Sequence, residues 1–266
     1  MQKIVVYILI LAGAFTSCEK VIDIPLDDAA KKYVIEGVIT DQQGGCKVLV
    51  SQTKNFTDDN SFNGVGGAVI SITDNNNSVT VLSEDSAGVY TSDTLTGIVG
   101  NTYTLNVTVN GTAFTASCAM PSKVNMDTLY ITDENIFGEI RKTANVEYHD
   151  PVGVGNNYRF VLYRNDEKKK NIYIRNDEYS DGNVSVIKLF LFGDEDNDTD
   201  LKSGDHVKVD MLCIADPVYK YWYSLNEGAT GDNNSASPAN PVSNISGGAL
   251  GYFSAHTIQS KNIVVP

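Results

Sequence analysis

The chain has 266 residues, of which 42% are hydrophobic, and it carries 20 basic against 33 acidic side chains. This length is ample for a packed core without disulfide or metal staples, and at ~150 residues per domain it suggests one or two domains. The hydrophobic fraction excludes a disordered chain, and 7 prolines with 22 glycines exclude a collagen-like one. A formal net charge of −13 argues against nucleic acid as a partner, because phosphate binding needs clustered Lys and Arg.

The N-terminus has the pattern of an export signal. Lys3 is followed by an apolar run over residues 4–15, and then by the small residues Thr16 and Ser17 before Cys18. The run is too short to span a bilayer, which takes ~20 apolar residues, and it is typical of a secretory signal peptide.

Residues 15–18, Phe-Thr-Ser-Cys, resemble a bacterial lipobox, although such boxes commonly carry Leu where Phe15 stands. The resemblance implies cleavage after residue 17 and lipidation of Cys18, and two or more acyl chains anchor a protein stably. We therefore expect a signal peptide at 1–17 and a polar tether at 18–32. The alternative is an uncleaved signal anchor with a free Cys18.

The first half of the mature chain has the period-2 pattern of β-strands. Turn residues such as the Asn110-Gly111 pair separate the segments and favour hairpins. About seven short strands without helical periodicity predict an immunoglobulin- or transthyretin-like β-sandwich over residues 33–120. The predicted strands are 33–40, 46–53, 68–73, 78–82, 89–92, 102–109 and 112–118.

The glycine-tyrosine spacing in this half resembles the carboxypeptidase-regulatory-like β-sandwich module. The matching segments are 67–72, 88–90 and 100–105, in which Tyr90 and Tyr103 follow tight glycine turns. The resemblance implies that the two tyrosines fill the core of the sandwich.

The second half, residues 121–266, predicts a second antiparallel β domain with one short helix. Asp216-Pro217 is a good helix start, so we expect a helix from residue 217 to about 226, followed by a polar loop at 228–242. The predicted strands are 128–132, 144–149, 157–163, 171–175, 184–192, 206–214 and a final one near 263–265.

Four features in order resemble the family of domain of unknown function 4249. They are residues 18–23 at the lipidation site, the strand at 34–41, the Gly-Ala-Val strand at 67–69, and the terminal segment 243–253. The resemblance implies a lipoprotein of the Bacteroidetes outer membrane, often encoded beside TonB-dependent transporters. It brings no established reaction and no catalytic residues.

An acidic run places Asp194, Asp196, Asp198 and Asp200 at alternate positions. Hard oxygen ligands in this arrangement suit Ca²⁺, although the run lacks the glycine and the final glutamate of an EF-hand loop. The alternative, a solvated acidic turn, is favoured.

Aromatic residues cluster on the predicted helix. Exposed rings would suit sugar stacking, with Tyr219, Trp222 and Tyr223 as the ligand-binding candidates. The helical spacing of Val218 and Leu225 favours the alternative, in which this face packs on a sheet.

Cysteine and histidine do not form a recognisable site. Cys46 and Cys118 lie on apolar strand faces, either as a disulfide in an oxidising envelope or, as we favour slightly, as buried free thiols. His149, His206 and His256 lack the spacing of a zinc site, and no Gly-x-Ser-x-Gly motif accompanies them.

These patterns predict a non-enzymatic, lipid-anchored outer-membrane lipoprotein without a cofactor, facing the cell exterior. Its expected role is to capture ligand for a TonB-dependent transporter. One alternative is a standalone glycan- or peptide-binding adhesin, and another is a hydrolase whose site is assembled only by folding.

Overall fold

The computed structural model describes residues 30–55, 61–191, 200–230 and 240–266. Within these ranges the protein is mainly β with several antiparallel sheets, which confirms the predicted fold class. The elements are β1 (Tyr33–Thr40), β2 (Cys46–Gln52), β3 (Val69–Asp74), β4 (Val79–Val81), β5 (Ser83–Ser86), β6 (Val89–Ser92), β7 (Thr102–Val109), β8 (Thr112–Ala119), β9 (Met126–Ile136), β10 (Glu139–His149), β11 (Asn157–Arg164), β12 (Glu167–Lys168), β13 (Tyr173–Asn176), β14 (Val184–Leu189), β15 (His206–Ile214), α1 (Asp216–Thr230), β16 (Ile245–Ser246) and β17 (Leu250–Val264).

One large sheet runs through the molecule. Its order is β12-β11-β15-β17-β1-β2-β6-β5, and β13 also pairs with β11. Strand β17 pairs in parallel with β1 over Leu250 to His256, and antiparallel with β15 over Thr257 to Val264. A three-stranded sheet, β14-β10-β9, and a five-stranded sheet, β16-β8-β7-β3-β4, complete the fold.

Both small sheets cover the same face of the large sheet. Side chains two positions apart on a strand share a face, so Phe253 and Ala255 lie on the same side as Thr257. Thr257 pairs with Cys213, which in turn pairs with Tyr158, so the face continues across the sheet.

The five-stranded sheet closes one part of this face, and the three-stranded sheet closes the other. In the first core, the side chains of Phe253 and Leu105 both lie beside Gly37, and Tyr90 and Tyr103 are almost fully buried. In the second core, Tyr148 of β10 packs on Tyr158 with ring centroids 4.8 Å apart. Burial of each large apolar side chain contributes roughly 1.5–3 kcal/mol to folding.

The helix covers the opposite face. Asp216 begins α1, and Lys220 one turn later forms an ion pair with it at 2.8 Å. Val218 and Tyr221 are buried, and the Tyr221 ring lies 4.7 Å from that of Tyr252 on β17. The helix ends at Thr230, beyond the predicted end at residue 226. Among the described residues, no helix is long and apolar enough to cross a membrane.

Three predicted strands are much longer in the structure. The predicted final strand near 263–265 is the end of β17, which begins at Leu250. The sequence did not predict most of this strand, because its polar residues interrupt the alternation of apolar side chains. Its place in the middle of the sheet shows only in the pairing with its neighbouring strands. The predicted strands at 128–132 and 144–149 belong to a long hairpin, β9–β10, which turns at Phe137 and Gly138 with positive φ at both.

The predicted domain boundary at residue 120 stays a prediction. Lys31–Pro266 forms one compact unit, and strands from both sides of the boundary share the large sheet. The predicted signal peptide at 1–17 and most of the tether at 18–32 lie outside the described residues.

Gly251 allows the parallel pairing of β1 and β17. It has φ +97°, and a Cβ atom there would lie 2.0 Å from the carbonyl oxygen of Ile35. Gly248 also has positive φ, +88°, but a Cβ there would meet open space. We expect Gly248→Ala to cost about 1 kcal/mol of unfolding free energy, and Gly251→Ala to cost about 3 kcal/mol or more, because two central strands must separate. Urea denaturation of both variants measures the difference, and equal losses would contradict the close approach of the strands.

Candidate functional site

A polar groove lies on the face of the large sheet that α1 covers only in part. Glu36 pairs with Tyr252 and Arg159 with Leu212, so alternation places these side chains on one face. We call this cavity the Arg159 groove. Its volume is about 200 Å³, and it is lined by Val38, Arg159, Val161, Tyr163, Lys168, Asp210, Leu212, Ile214, Val218, Trp222, Tyr252, Ser254, His256 and Ile258.

Arg159 is the central cation of the groove. Its Cζ lies 3.5 Å from the centroid of the Trp222 ring, which is a close cation–π contact. Its Nε is buried and has no hydrogen-bond partner among the described residues. Burial lowers the pKa of Arg159, and the neighbouring Tyr252, Tyr163 and the Glu36 carboxylate act in the opposite direction. Since a guanidinium stays protonated, the groove holds a half-buried positive charge whose buried Nε–H donor is unused.

Aromatic rings from the helix and from β17 form one wall of the groove. The Trp222 ring lies 5.2 Å from Tyr252 and 5.4 Å from Tyr221, in edge-to-face arrangements. Burial raises the pKa of Tyr252 to about 12, so its hydroxyl stays protonated at neutral pH. The wall therefore offers flat apolar surface beside the cation.

Acidic and basic side chains lie on the side of the groove away from the aromatic wall. Asp210 is buried, accepts a hydrogen bond from the Ser260 hydroxyl at 2.5 Å, and pairs with Lys208 at 3.2 Å. Lys168 reaches the groove from β12, and burial and the Arg159 charge lower its pKa. Asp210 is thus matched by Lys208, whereas Arg159 and Lys168 form no ion pair among the described residues.

Ser254 and His256 lie at the base of the groove, two positions apart on β17. The Ser254 hydroxyl and His256 Nδ1 are 2.8 Å apart, and both residues are buried. Burial is the largest cause that lowers the pKa of His256 to about 4, followed by the charge of Arg159, and Asp41 acts in the opposite direction. His256 is therefore neutral at pH 7.

A larger depression, of about 420 Å³, lies where β15 begins and β17 ends. Its polar side chains Asp166, His206 and Asn262 are exposed, so water satisfies them. The Arg159 groove is the stronger candidate, because it holds buried charge and aromatic surface in one concave site.

The structure separates the predicted ligand-binding aromatics. Trp222 lines the groove, whereas Tyr219 and Tyr223 stack on each other with centroids 6.0 Å apart and do not line it. Tyr221 lies between Val218 and Leu225 at helical spacing, and it is buried, as expected of the face that packs on the sheet.

The other predicted site residues lie away from the groove. Asp194, Asp196, Asp198 and Cys18 are outside the described residues, and Asp200 lies 3.5 Å from Arg141 in an ion pair.

The three cysteines of the described residues are free thiols. Cys46, Cys118 and Cys213 are all buried, so the disulfide alternative for Cys46 and Cys118 is not what the structure contains. Burial raises the pKa of each, to about 12 for Cys46, which keeps the thiols protonated and unreactive.

Comparison with known proteins gives a family. The model of the family described as domain of unknown function (DUF4249) matches residues 19–262. The chain belongs to the DUF4249 family. No curated protein matches the chain.

One solved structure similar to this DUF4249 protein is the chicken interferon gamma receptor alpha chain. It is 7% identical, the match covers 90% of this chain and 100% of that one, and the TM-score is 0.26. At this TM-score the likeness carries no argument.

Sequence reasoning missed Arg159, Lys168 and the Ser254–His256 pair of this DUF4249 protein. The available signal was an arginine inside the apolar part of a strand, between Tyr158 and Phe160. Burying a charge on a covered sheet face costs free energy of folding unless the charge is paired or hydrogen-bonded, so this arginine indicates a binding site.

The lowered pKa of His256 predicts an acid-sensitive fold. The unfolded chain binds a proton at His256 near pH 6.5 and the folded protein only near pH 4, so stability falls as pH decreases from 6.5 towards 4. We expect His256 to account for about 3 kcal/mol of this loss. His256→Gln should remove that part of the pH dependence, whereas His206→Gln, at an exposed histidine, should retain it. Urea denaturation across this pH range checks the slope, and identical slopes in wild type and His256→Gln would contradict the assignment.

Proposed function

We propose that this DUF4249 protein is a lipid-anchored outer-membrane lipoprotein that captures an anionic ligand in the Arg159 groove for a TonB-dependent transporter. The observation that supports ligand capture is the half-buried Arg159 guanidinium, which lies against the Trp222 ring and has a buried, unpaired Nε–H.

An unpaired buried cation favours an anionic partner. Hydrogen bonds to charged groups contribute about 1.5–3 kcal/mol each, and leaving a buried donor unsatisfied costs a similar amount. A carboxylate or phosphate oxygen on the ligand would satisfy Arg159, with Lys168 at the rim as a second cation. The stacked Trp222 ring orients the guanidinium plane, which suits the flat geometry of a carboxylate.

The size and walls of the groove narrow the ligand further. At about 200 Å³ the cavity is smaller than the ~300–1,000 Å³ of sites for drug-sized molecules. It fits a small anion or the anionic end of a longer ligand, such as a sugar acid or a peptide terminus. Trp222 and Tyr252 would then stack on the ring or apolar portion beside the anionic group.

Capture is favoured over hydrolysis by the chemistry of Ser254 and His256. A general base works best with a pKa near the working pH, and burial holds the pKa of His256 at about 4. The Ser254 hydroxyl therefore faces a weak base. We propose that this pair supplies hydrogen bonds at the base of the groove and performs no nucleophilic attack.

The anchor and the transporter partner are supported by the lipobox-like residues 15–18 and by membership of the DUF4249 family. A tether over residues 18–32 would hold the groove off the membrane. A diacylglycerol and an N-acyl chain on Cys18 would make the anchoring stable.

The ligand proposal is tested by tryptophan fluorescence, because Trp222 is the single tryptophan of the chain and touches Arg159. The probes are sugar acids, N-acetyl amino acids and inorganic phosphate. We expect a saturable change with at least one carboxylate or phosphate probe, and affinity about tenfold or more weaker in Arg159→Gln, because a charge-assisted hydrogen bond is lost.

Lys220→Gln is the matched control. Lys220 lies on α1, the helix that carries Trp222, and its side chain is 63% exposed. It does not line the groove, so this variant removes one positive charge and leaves the groove unchanged. Its affinity should equal that of the wild type. Binding of neutral glycans alone would favour the adhesin alternative, and turnover of an ester or glycoside probe would favour the hydrolase.

The anchor and partner are tested in the native envelope. We expect the wild type to stay in the membrane fraction and to co-purify in mild detergent with a TonB-dependent transporter. Cys18→Ser should appear in the soluble fraction, because the acyl chains that hold it are absent. A Cys18→Ser protein that stays membrane-bound would overturn the anchor, and repeated purification without a transporter would overturn the partner.

A further inference from the structure

Three aspartates, none of them in the acidic run of residues 194–200, meet at the end of the second core. Asp150 follows β10 directly, Asp177 follows β13, and Asp181 lies in the turn before β14. One carboxylate oxygen from each lies within 4.8 Å of the others. Asp150 and Asp177 are buried, and Asp181 is exposed, so the cluster opens to solvent on one side.

Backbone and side-chain donors fix all three carboxylates. The Tyr158 hydroxyl donates to Asp150 Oδ1, and the Gly153 amide donates to Asp181 Oδ1 at 2.6 Å. Asp177 Oδ2 accepts from the backbone amide of Asn156 at 2.8 Å. One oxygen of each carboxylate is therefore occupied.

Two buried oxygen atoms at the cluster have no hydrogen-bond partner among the described residues, which indicates a ligand. Asp150 is 0% exposed, yet its Oδ2 is buried without a hydrogen-bond partner, as is the Ser180 hydroxyl in the turn between Asp177 and Asp181. A buried carboxylate oxygen without a donor is costly, and native proteins rarely contain one.

The cluster also has no cation. Among the described residues, no Lys, Arg or His forms an ion pair with any of the three aspartates. Burial is the largest cause that raises the pKa of Asp150, and the charges of Asp177 and Asp181 add to it, whereas hydrogen bonds from the Tyr158 hydroxyl and the Gly182 amide lower it. Negative charges this close repel one another strongly in a partly buried site, and a divalent cation offsets two of them.

We propose that Asp150, Asp177 and Asp181 form a calcium site at this end of the second core. All three donors are hard carboxylate oxygens, and Ca²⁺ takes 6–8 such oxygens, with waters and carbonyls completing its shell. The site joins the loop after β10 to the turn before β14. These two segments are already linked by the Asp150 amide, which donates to the Asn183 carbonyl at 2.9 Å. Bound Ca²⁺ would therefore stabilise the edge of the three-stranded sheet.

The test compares calcium binding by calorimetry and by thermal unfolding. We expect Ca²⁺ to bind the wild type and raise its Tm by several degrees at millimolar concentration. Asp181→Asn should bind Ca²⁺ about tenfold or more weakly, because affinity follows the number of charged ligands. Asp181 is exposed and asparagine retains an acceptor for the Gly153 amide, so this variant should fold.

The control variant carries Asp194→Asn, Asp196→Asn, Asp198→Asn and Asp200→Asn, which neutralises the acidic run and leaves the cluster intact. It should bind Ca²⁺ like the wild type. Tyrosine-sensitised Tb³⁺ luminescence gives a second readout, because Tyr158 donates directly to Asp150. Its signal should fall in Asp181→Asn and persist in the control.

Three results would overturn the proposal. They are no heat and no Tm shift in the wild type, loss of binding in the acidic-run control with retention in Asp181→Asn, and stabilisation by Mg²⁺ but not by Ca²⁺. Arg159→Gln should retain the calcium response, so failure here is distinguishable from failure of the groove.

Discussion

The close parallel contact between β1 and β17 is the constraint on which the rest of the structure depends. At Gly251 the backbone of β17 approaches the Ile35 carbonyl so closely that no side chain fits, and the Phe253 ring occupies the space beside Gly37. This contact inserts β17 between β1 and β15, so strands from the beginning and the end of the chain share one sheet. Both cores are then closed against the same face, by separate small sheets.

The same insertion creates the Arg159 groove on the other face. Because side chains alternate along β17, burying Phe253 and Ala255 in the core obliges Tyr252, Ser254 and His256 to face α1. There they meet Arg159 from β11 and Trp222 from the helix. The small sheets cover one face of the large sheet, and the side chains on its opposite face form the groove.

The two proposed sites differ in the sign of their unpaired charge. The groove holds a cation with an unused donor, which attracts an anionic ligand. The protein as a whole has a net charge of −13, so the rest of its surface repels such a ligand. The cluster of Asp150, Asp177 and Asp181 holds unpaired acceptors and would attract a cation. In both places a buried polar atom lacks a hydrogen-bond partner among the described residues, and a ligand would supply that partner.

Local patterns in the sequence predicted the mainly β class, the starts of most strands and the helix near Asp216. These features depend on near neighbours, through side-chain alternation, turn residues and helix capping. The DUF4249 family was indicated separately, by the resemblance of four short segments. The long strand β17 escaped because polar residues such as Ser254, His256 and Gln259 mask its alternation. The groove and the aspartate cluster escaped because their members come from segments far apart in the chain. Only the tertiary structure decided these sites, since hydrogen bonds between distant strands place Arg159 beside Trp222 and Asp150 beside Asp181, and no local preference specifies such pairings.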